Sequence, residues 1–253
     1  MEIYERVSGA RLHANYIRPG GVSQDFPKGL LESIYKFIFQ FSSRLDEMED
    51  LLTNNHIWQN RLIGIGAINL QKGLLWGFSG VMLRGSGSLW DLRKTNPYEI
   101  YNKILFNIPQ GLSGYCFDRY LVRVEELRSS INIITFCLNN FPSGEIKSFT
   151  SGLVLPSRSL IKSSMKNLIK HFVITSSGFE LPQGEIYCST EAPKGEFGVY
   201  ISSQKGVRPE RVRLRAPGFY HLQGIKTLSY QHLLADVVTI IGTADIVFGE
   251  VDR

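Results

Sequence analysis

Acidic side chains set in an apolar segment are the strongest chemical signal in this sequence. Residues 235–253 are mostly apolar, yet they include Asp236, Asp245, Glu250 and Asp252. Chain termini are usually polar and frayed, whereas this pattern is typical of a buried segment. A buried carboxylate needs a partner or a chemical role. The pattern therefore predicts that these residues lie buried within a functional site.

A charged turn supplies a second candidate site. Glu191, Lys194 and Glu196 surround a proline and a glycine between two predicted strands. Two interpretations stay open for this turn. It forms a surface hairpin with an ion pair, which contributes little stability, or it projects Lys194 and Glu196 into a cavity.

Arg18 is a third candidate because the sequence holds it on restricted backbone. It precedes Pro19, Gly20 and Gly21, and a proline followed by glycines is typical of a tight turn. A rigidly placed arginine suits an anion, a carboxylate or the edge of a cofactor. An ordinary turn is the alternative.

Two further motifs are more typical of structural than of chemical roles. Residues 84–87 (Arg-Gly-Ser-Gly) resemble a phosphate loop, but the residues that follow are poor at starting a helix, so we favour a structural turn. His221 stands beside two aromatic residues, Phe219 and Tyr220. A histidine in that context is more often packed and hydrogen-bonded than catalytic.

The elements that must position these residues follow from hydrophobic periodicity. The pattern predicts helices over residues 29–52, 67–75, 115–138, 158–174 and 228–241, β-structure over 188–214, a glycine-rich loop over 77–87 and a short strand or extended tail over 246–248. Asn54 and Asn55 are predicted to stop the first long helix. The inner face of the second is predicted to comprise Tyr120, Leu121, Val124, Leu127, Ile131, Ile134 and Leu138. The predicted class is α+β, helix-dominated, with a helix bundle flanked by small β-sheets.

Charge and composition exclude several classes of function. The net charge is +5, but no lysine–arginine run marks a nucleic-acid tail. Strand alternation places Arg211, Arg213 and Arg215 on one face, which favours a solvated face or a subunit contact. We therefore expect no nucleic-acid partner. No apolar run approaches the ~18 residues of a transmembrane helix.

Cysteine spacing bears on metal chemistry. Cys116, Cys137 and Cys188 are scattered and form no CxxC pair. We therefore expect no metal or iron–sulfur site made by this chain alone. The odd count and the scattered spacing also argue for a reducing compartment.

Taken together, long stretches of the chain resemble one family. The stretches are residues 4–22, 52–55, 77–87, 90–94, 118–121, 191–200, 216–219 and 245–253. They are similar to the 49-kDa subunit of mitochondrial complex I, a family that also contains its counterpart in the bacterial enzyme. The resemblance runs from end to end of the chain.

The resemblance implies a fold like that of the large subunit of nickel–iron hydrogenases, of which residues 1–253 would be the C-terminal part. In those enzymes, CxxC pairs bind the metal. Here residues 245–251 occupy the C-terminal position without a cysteine, so no metal centre is expected. In the complex I family the vacated site is the inner end of the quinone cavity. It lies next to a terminal [4Fe–4S] cluster whose ligands are on a neighbouring subunit.

Position by position, the resemblance implies that Asp245, Val247 and Phe248 line the quinone cavity and that Lys194 lies near it. The apolar Val247 and Phe248 suit a quinone ring and its tail. Asp245 in such a wall needs either a partner or a proton, and Lys194 is one candidate partner. Arg18 and Pro19 match a position close to the junction with the cluster-bearing subunit.

The function that the resemblance implies is that of a core subunit in the peripheral arm of complex I. The arm lies on the matrix side of the mitochondrial inner membrane. There, electron transfer from NADH to ubiquinone is coupled to proton translocation. Ubiquinone would bind in a shared cavity, and the chain alone would bind no cofactor and catalyse nothing. A structural or assembly fragment without a catalytic role is the alternative.

The expected partners follow from the same resemblance. They are a cluster-bearing (PSST-type) subunit, a 30-kDa-type subunit and a membrane-arm subunit at the quinone channel. The family's chain is longer, and its N-terminal half carries the histidine and tyrosine thought to hold the quinone headgroup. None of the five histidines here stands in the matching context. We expect a separate polypeptide to supply that half, with a fragment as the alternative.

Overall fold

The structure is a computed structural model that describes residues 1–148 and 153–252. Within those residues the α-helices are α1 (Glu2–Ser8), α2 (Leu30–Leu52), α3 (His56–Asn60), α4 (Leu70–Leu75), α5 (Val81–Arg84), α6 (Leu92–Thr95), α7 (Cys116–Asn139), α8 (Arg158–Ser163), α9 (Met165–Ser176), α10 (Pro217–Leu228), α11 (Leu234–Ala244) and α12 (Phe248–Asp252). The strands are β1 (Ile17–Arg18), β2 (Gly21–Val22), β3 (Gly184–Ala192), β4 (Gly195–Ser203) and β5 (Arg211–Arg215). Strands β1 and β2 form one small sheet, and β3, β4 and β5 lie in that order in another. The predicted α+β, helix-rich class is confirmed.

The chain folds as two compact units. The first comprises residues 1–38, 138–186 and 201–212, and the second comprises residues 39–137, 187–200 and 213–253. Each unit is built from segments that are distant in sequence. Long-range packing is therefore needed to complete either of them.

The first unit contains the turn that carries Arg18. Arg18 pairs with Gly21 across Pro19 and Gly20. Gly20 has a φ of +88°, and a type II turn requires a positive φ at the residue after its proline. Gly21 then forms a β-bridge with Lys147. Backbone hydrogen bonds therefore hold this turn on both sides.

The second unit contains the main hydrophobic core. Its buried members are Leu62, Ile65, Ile68, Phe78, Met82, Leu83, Cys116, Leu228, Ile240 and Ala244. They come from the loops around α4, from α5, from the start of α7 and from helices α10 and α11. Burial of Ile240 and Ala244 in this core fixes α11, the helix that ends at Asp245.

Several predicted boundaries need correction. The helix predicted over 158–174 is broken at Ser164 into α8 and α9. The helix predicted over 228–241 was wrong, because α10 ends at Leu228 and α11 begins at Leu234. Gln231, between them, has a φ of +64°, a left-handed conformation that interrupts a helix. The predicted stop after α2 is confirmed, and Asn55 caps α3 by accepting a hydrogen bond from the Ile57 N–H.

The glycine-rich segment 77–87 is not only a loop, since the buried helix α5 lies at its centre. The inner face predicted for α7 was wrong in part. The buried residues of this helix are Cys116, Arg119, Val122 and Val124, whereas Leu127 and Ile134 are exposed. The periodicity missed Arg119 because a cation is buried only where tertiary partners satisfy its N–H groups.

Within residues 1–148 and 153–252, no helix has both the length and the apolar character needed to cross a membrane.

Candidate functional site

Lys194 and Asp245 form the centre of the candidate site. Lys194 Nζ lies 2.8 Å from Asp245 Oδ1 and donates a second hydrogen bond of 2.9 Å to the Asp245 carbonyl. Asp245 ends α11 with φ 54° and ψ 49°, a left-handed conformation that few non-glycine residues adopt. Lys194 thus holds both the side chain and the backbone of this residue. The expectation that Asp245 is paired, with Lys194 as the candidate, agrees with this geometry.

The β3–β4 hairpin positions Lys194 through a close backbone contact. A Cβ at Gly80 would lie 2.5 Å from the Gly195 Cα, and a Cβ at Gly195 would lie 2.5 Å from Ser79 Oγ. Ser79 Oγ also accepts a 3.0 Å hydrogen bond from the Glu196 N–H. Only glycine at positions 80 and 195 permits the hairpin to approach the Ser79–Gly80 backbone so closely. This approach fixes the position of the Lys194 backbone.

Two arginines of α7 hold the C-terminus of α11 from the other side. Arg123 donates a 2.7 Å hydrogen bond to the Thr243 carbonyl. Arg119 donates to Thr243 Oγ1 at 3.3 Å and to the Gly66 and Gly114 carbonyls at 2.6 and 3.0 Å. Cations at a helix C-terminus are favoured by its dipole and by its unpaired carbonyls.

Burial affects both of these arginines. Desolvation lowers the pKa of Arg119 and of Arg123, and the negative charge of Asp245 partly offsets the effect at Arg123. Sequence reasoning missed both residues. A signal was present, because Arg119 and Arg123 are four residues apart and share a helix face with the buried Cys116.

The predicted burial of the C-terminal segment holds for Ile240 and Ala244 but was wrong for Val247 and Phe248. Val247 and Phe248 are 47% and 63% exposed, and residues 248–252 form α12 instead of an extended tail. Helix α11 ends at Ala244 and Asp245 is left-handed; Ile246 still packs against the core, whereas Val247 and Phe248 lie at the surface. Their assignment to a cavity wall stays a prediction.

The other tail acids have separate partners. Asp236 is buried, pairs with Arg61 at 2.8 Å and accepts a hydrogen bond from the Leu233 N–H at the start of α11. Glu250 accepts a 3.2 Å hydrogen bond from the Gly218 N–H at the start of α10. Asp252 is exposed. The predicted single acidic site is therefore three separate structural contacts and one exposed carboxylate.

Glu191 belongs to a buried ion network. Arg84 is 1% exposed and lies 2.8 Å from Glu126 and 2.8 Å from Glu191. Asp91, also fully buried, accepts four hydrogen bonds from Arg93, one from its backbone N–H and three from its guanidinium group. Burial raises the pKa of Glu191. Burial also acts to raise the pKa of Asp91, but the hydrogen bonds and charge of Arg93 outweigh it, and this pKa is lowered. The structural interpretation of residues 84–87 is supported.

The charged turn is not a plain surface hairpin. Its three charged residues each contact a different part of the second unit. Glu191 reaches Arg84, Lys194 reaches Asp245, and Glu196 lies 3.5 Å from Arg215. The turn thereby joins β-structure to α5 and to the end of α11.

His221 is packed in the core, which is the interpretation that its sequence context favoured. Its Nε2 accepts a 3.4 Å hydrogen bond from the Ser79 N–H, and its ring packs edge-on against Phe78 with centroids 5.1 Å apart. Burial lowers its pKa from the ordinary 6.5 to about 4, although the backbone of Ala244 and Ser79 acts in the opposite direction. The imidazole is therefore neutral at physiological pH.

Arg18 and Pro19 line a cavity within the first unit. Its volume is about 420 Å³, and Val22, Lys147 and Phe179 also contribute to its surface. Arg18 donates a 3.2 Å hydrogen bond to the Asn15 carbonyl and is otherwise exposed. The predicted role of this turn at a subunit junction stays a prediction.

The described residues hold no cluster of three or more histidine, cysteine, aspartate or glutamate side chains with metal-binding geometry. Cys116, Cys137 and Cys188 are all free, and only Cys116 is buried. Its sulfur lies 3.3 Å from Thr243 Oγ1 and accepts a long contact from Arg119. This thiol therefore belongs to the arginine cluster that holds α11.

Comparison with known proteins gives a consistent result. Residues 1–253 match the family described as respiratory-chain NADH dehydrogenase, 49 Kd subunit. The chain is 58% identical over all of its 253 residues to the NADH dehydrogenase [ubiquinone] iron-sulfur protein 2 of Nephroselmis olivacea. It is equally similar to the NADH-ubiquinone oxidoreductase 49 kDa subunit of Reclinomonas americana and 56% identical to the iron-sulfur protein 2 of Arabidopsis thaliana.

In each of these three comparisons the chain is covered completely and spans about 64% of the relative's length. The predicted resemblance is confirmed. The chain belongs to the family of the 49 Kd subunit of respiratory-chain NADH dehydrogenase.

Proposed function

We propose that this chain contributes part of the quinone-reduction site of respiratory complex I, through Asp245, Val247, Phe248 and Lys194. One observation carries the proposal. A fixed ion pair, Lys194–Asp245, is followed within three residues by two exposed apolar side chains. A quinone needs this combination, because polar groups must reach its carbonyl oxygens while apolar groups contact its ring and tail.

The chain's own residues have definable tasks in this proposal. Lys194 engages Oδ1 and the backbone carbonyl of Asp245, and within the described residues Oδ2 has no partner. That oxygen is free to accept a hydrogen bond from a hydroxyl group or from water. The Lys194 ammonium is a donor that stabilises negative charge developing on a quinone oxygen. The redox chemistry itself belongs to the quinone and to the neighbouring [4Fe–4S] cluster.

The arginine cluster supports the same site electrostatically. Arg119 and Arg123 add two positive charges behind the end of α11, and the carboxylates of Asp118, Glu126 and Asp245 act on them with the opposite charge. A positive field acting through a poorly solvated interior favours an anionic species nearby. We propose that it stabilises a partly reduced quinone and keeps Asp245 correctly oriented.

The wider setting is part of the proposal. The protein would be a core subunit of the peripheral arm, on the matrix side of the mitochondrial inner membrane, with a nickel–iron hydrogenase-like fold. Ubiquinone would bind in a cavity shared with the cluster-bearing (PSST-type) subunit. Arg18 and Pro19 would lie close to the junction with that subunit. The names of the relatives support this setting, since they include ubiquinone and NADH.

Substitution of Asp245 and Val247 in the assembled enzyme tests the site. We expect Asp245→Asn to lower kcat/KM for quinone by about tenfold, because the change removes the charge that Lys194 pairs with. Val247→Met should change inhibitor sensitivity, because it alters the volume of an apolar contact. Both variants should assemble normally, since both side chains are at least partly exposed. Steady-state quinone kinetics and inhibitor titration measure these effects.

The matched control is Glu47→Gln, which breaks the exposed Arg44–Glu47 ion pair on α2. It removes a comparable charge without touching the proposed site, and its kinetics should equal those of the parent enzyme. Normal assembly with unchanged quinone kinetics and inhibitor sensitivity in both test variants would contradict the site. That outcome would favour a purely structural role.

A further inference from the structure

Helix α9 turns its apolar side chains outward. Met165, Leu168, Ile169, Phe172 and Val173 are all exposed, with Met165 at 77% and Phe172 at 69%. Their spacing of i, i+3, i+4, i+7 and i+8 places them on one face of the helix. We call these five residues the α9 stripe. A helix at a protein surface normally buries such a face, and this one does not.

A groove runs beside the α9 stripe within the first unit. Its volume is about 780 Å³ and its openings face the surface. Its lining includes Ile169 and Val173 of the stripe, the apolar Phe179, Leu181 and Pro182, two cations, Lys166 and Lys170, and one carboxylate, Glu180. The two lysines are one helical turn apart on the same edge. The groove is therefore apolar, with two lysines along its α9 edge, which we call the rim, and a single carboxylate, Glu180, elsewhere in its lining.

The charge carried by α8 and α9 themselves is of one sign. Residues 153–179 include Arg158, Lys162, Lys166 and Lys170, and they contain no aspartate or glutamate. Among the ion pairs of the described residues, none involves these four cations. A partner that presents carboxylates along the rim would satisfy them and would also steer its own docking.

We propose that the α9 stripe and its groove bind an amphipathic helix of another subunit, with acidic residues facing Lys166 and Lys170. The heptad-like spacing of the stripe is the pattern that a helix-in-groove contact uses. A bilayer surface also attracts basic amphipathic helices. A bilayer suits this site less well, because a flat surface would leave the groove unfilled. It would also contact both edges of α9 equally, whereas Lys166 and Lys170 lie on one edge.

The inference rests on the proposed function only in that the partner belongs to the same complex. Its test is distinct, since it measures subunit association and not quinone kinetics. Asp245→Asn addresses quinone reduction in an enzyme that assembles. Substitutions in α9 address incorporation of the chain.

Charge reversal at the rim is the first experiment. In cells that assemble the enzyme, Lys166→Glu combined with Lys170→Glu should reduce the fraction of the chain incorporated into the complex by about tenfold. The matched control combines Lys28→Glu with Lys36→Glu. Both of these lysines are exposed in the same unit, and the pair carries the same change in net charge. Equal incorporation of the two double variants would overturn the proposal.

Site-specific cross-linking identifies the occupant. A photo-reactive amino acid replaces Phe172 in the assembled enzyme, and the linked peptide is mapped by mass spectrometry. The expected product is a peptide of another subunit that combines helical apolar spacing with aspartate or glutamate. Lysine substitution of those acids should then restore incorporation of the Lys166→Glu, Lys170→Glu variant. A link to phospholipid, to a second copy or to another segment of this chain overturns the proposal, and so does failure of the rescue.

Discussion

Lys194 and Asp245 are both partly exposed, so their ion pair contributes only about 0–1 kcal/mol to stability. The ion pair instead fixes the local geometry, because the Lys194 ammonium group holds both the carboxylate and the left-handed backbone of Asp245. Buried charges behave differently. Arg84 and Arg119 are almost fully buried, and removal of either leaves polar groups without water or partner.

His221 gives a prediction for pH dependence. Its folded pKa, about 4, lies below the ordinary 6.5, so the unfolded chain binds the extra proton first as the pH falls. The stabilising contribution of the neutral ring is complete above 6.5 and is lost progressively toward pH 4. Between pH 7 and pH 5 we expect the free energy of unfolding to fall by about 2 kcal/mol from this residue.

Denaturant unfolding at several pH values measures the effect of His221. In His221→Gln the free energy of unfolding should change less between pH 7 and pH 5 than in the parent protein, because glutamine does not titrate. His13→Gln is the control, since the His13 side chain is exposed. An equal slope in the parent protein and in His221→Gln would show that other groups govern this pH range.

At the level of elements, glycine contacts decide how the β3–β4 hairpin meets the rest of the second unit. Gly80→Ala places a Cβ 2.5 Å from the Gly195 Cα and also occupies a φ of +63°. We expect a loss of about 2–4 kcal/mol in the free energy of unfolding, from overpacking and backbone strain together. Lys194 should move with the hairpin, and quinone reduction should fall as well.

Gly64→Ala provides the matched control for the hairpin. Gly64 has a φ of +75°, but a Cβ there would have open space around it. In this variant the free energy of unfolding should fall only by the cost of backbone strain, about 1–2 kcal/mol. Its quinone kinetics should equal those of the parent enzyme. Thermal unfolding compares the two variants. Equal destabilisation would show that the Gly80–Gly195 contact is not the decisive feature.

The Arg84 network connects α5, α7 and β3. Arg84→Met removes the partner of Glu191 and Glu126 and leaves Glu191 buried without its cation. We expect the free energy of unfolding to fall by about 3–5 kcal/mol, the usual range when one member of a buried ion pair is removed. Arg44→Met, at an exposed pair, should cost less than about 1 kcal/mol. Similar losses for both variants would indicate that the network is well solvated.

The whole molecule presents many large apolar side chains to solvent. Leu105 is fully exposed, and Leu75, Leu112 and Leu234 are nearly so. Contiguous exposed apolar groups, such as the α9 stripe, are typical of interaction surfaces. They agree with membership in a multi-subunit family.

This exposure predicts how the chain behaves alone. Purified without partners, it should self-associate and bind a hydrophobic fluorescent dye, and incorporation into the complex should suppress both properties. Leu75→Ser together with Leu234→Ser should reduce self-association while the helical circular dichroism is retained. Sedimentation velocity provides the measurement. A chain that stays monomeric and binds no dye would contradict the interface interpretation.

The sequence by itself determined what depends on local spacing. The long helices α2 and α7, the β-region and the stop at Asn55 follow from periodicity and capping, which act over a few residues. The family was also readable, because its motifs are continuous stretches. Lys194 and Asp245 were candidates from the charged turn and the acidic tail, and the resemblance assigned them to one site.

Only the tertiary structure decided which charges are satisfied and which apolar residues stay exposed. Arg84 pairs with Glu191 from 107 residues away, and Lys194 with Asp245 from 51 residues away. Arg119 is buried because the Gly66 and Gly114 carbonyls accept its N–H groups. Val247 and Phe248 look like core residues in the sequence but lie at the surface. Pairing and burial are set by contacts between distant segments, and a local pattern carries no information about those contacts until the chain has folded.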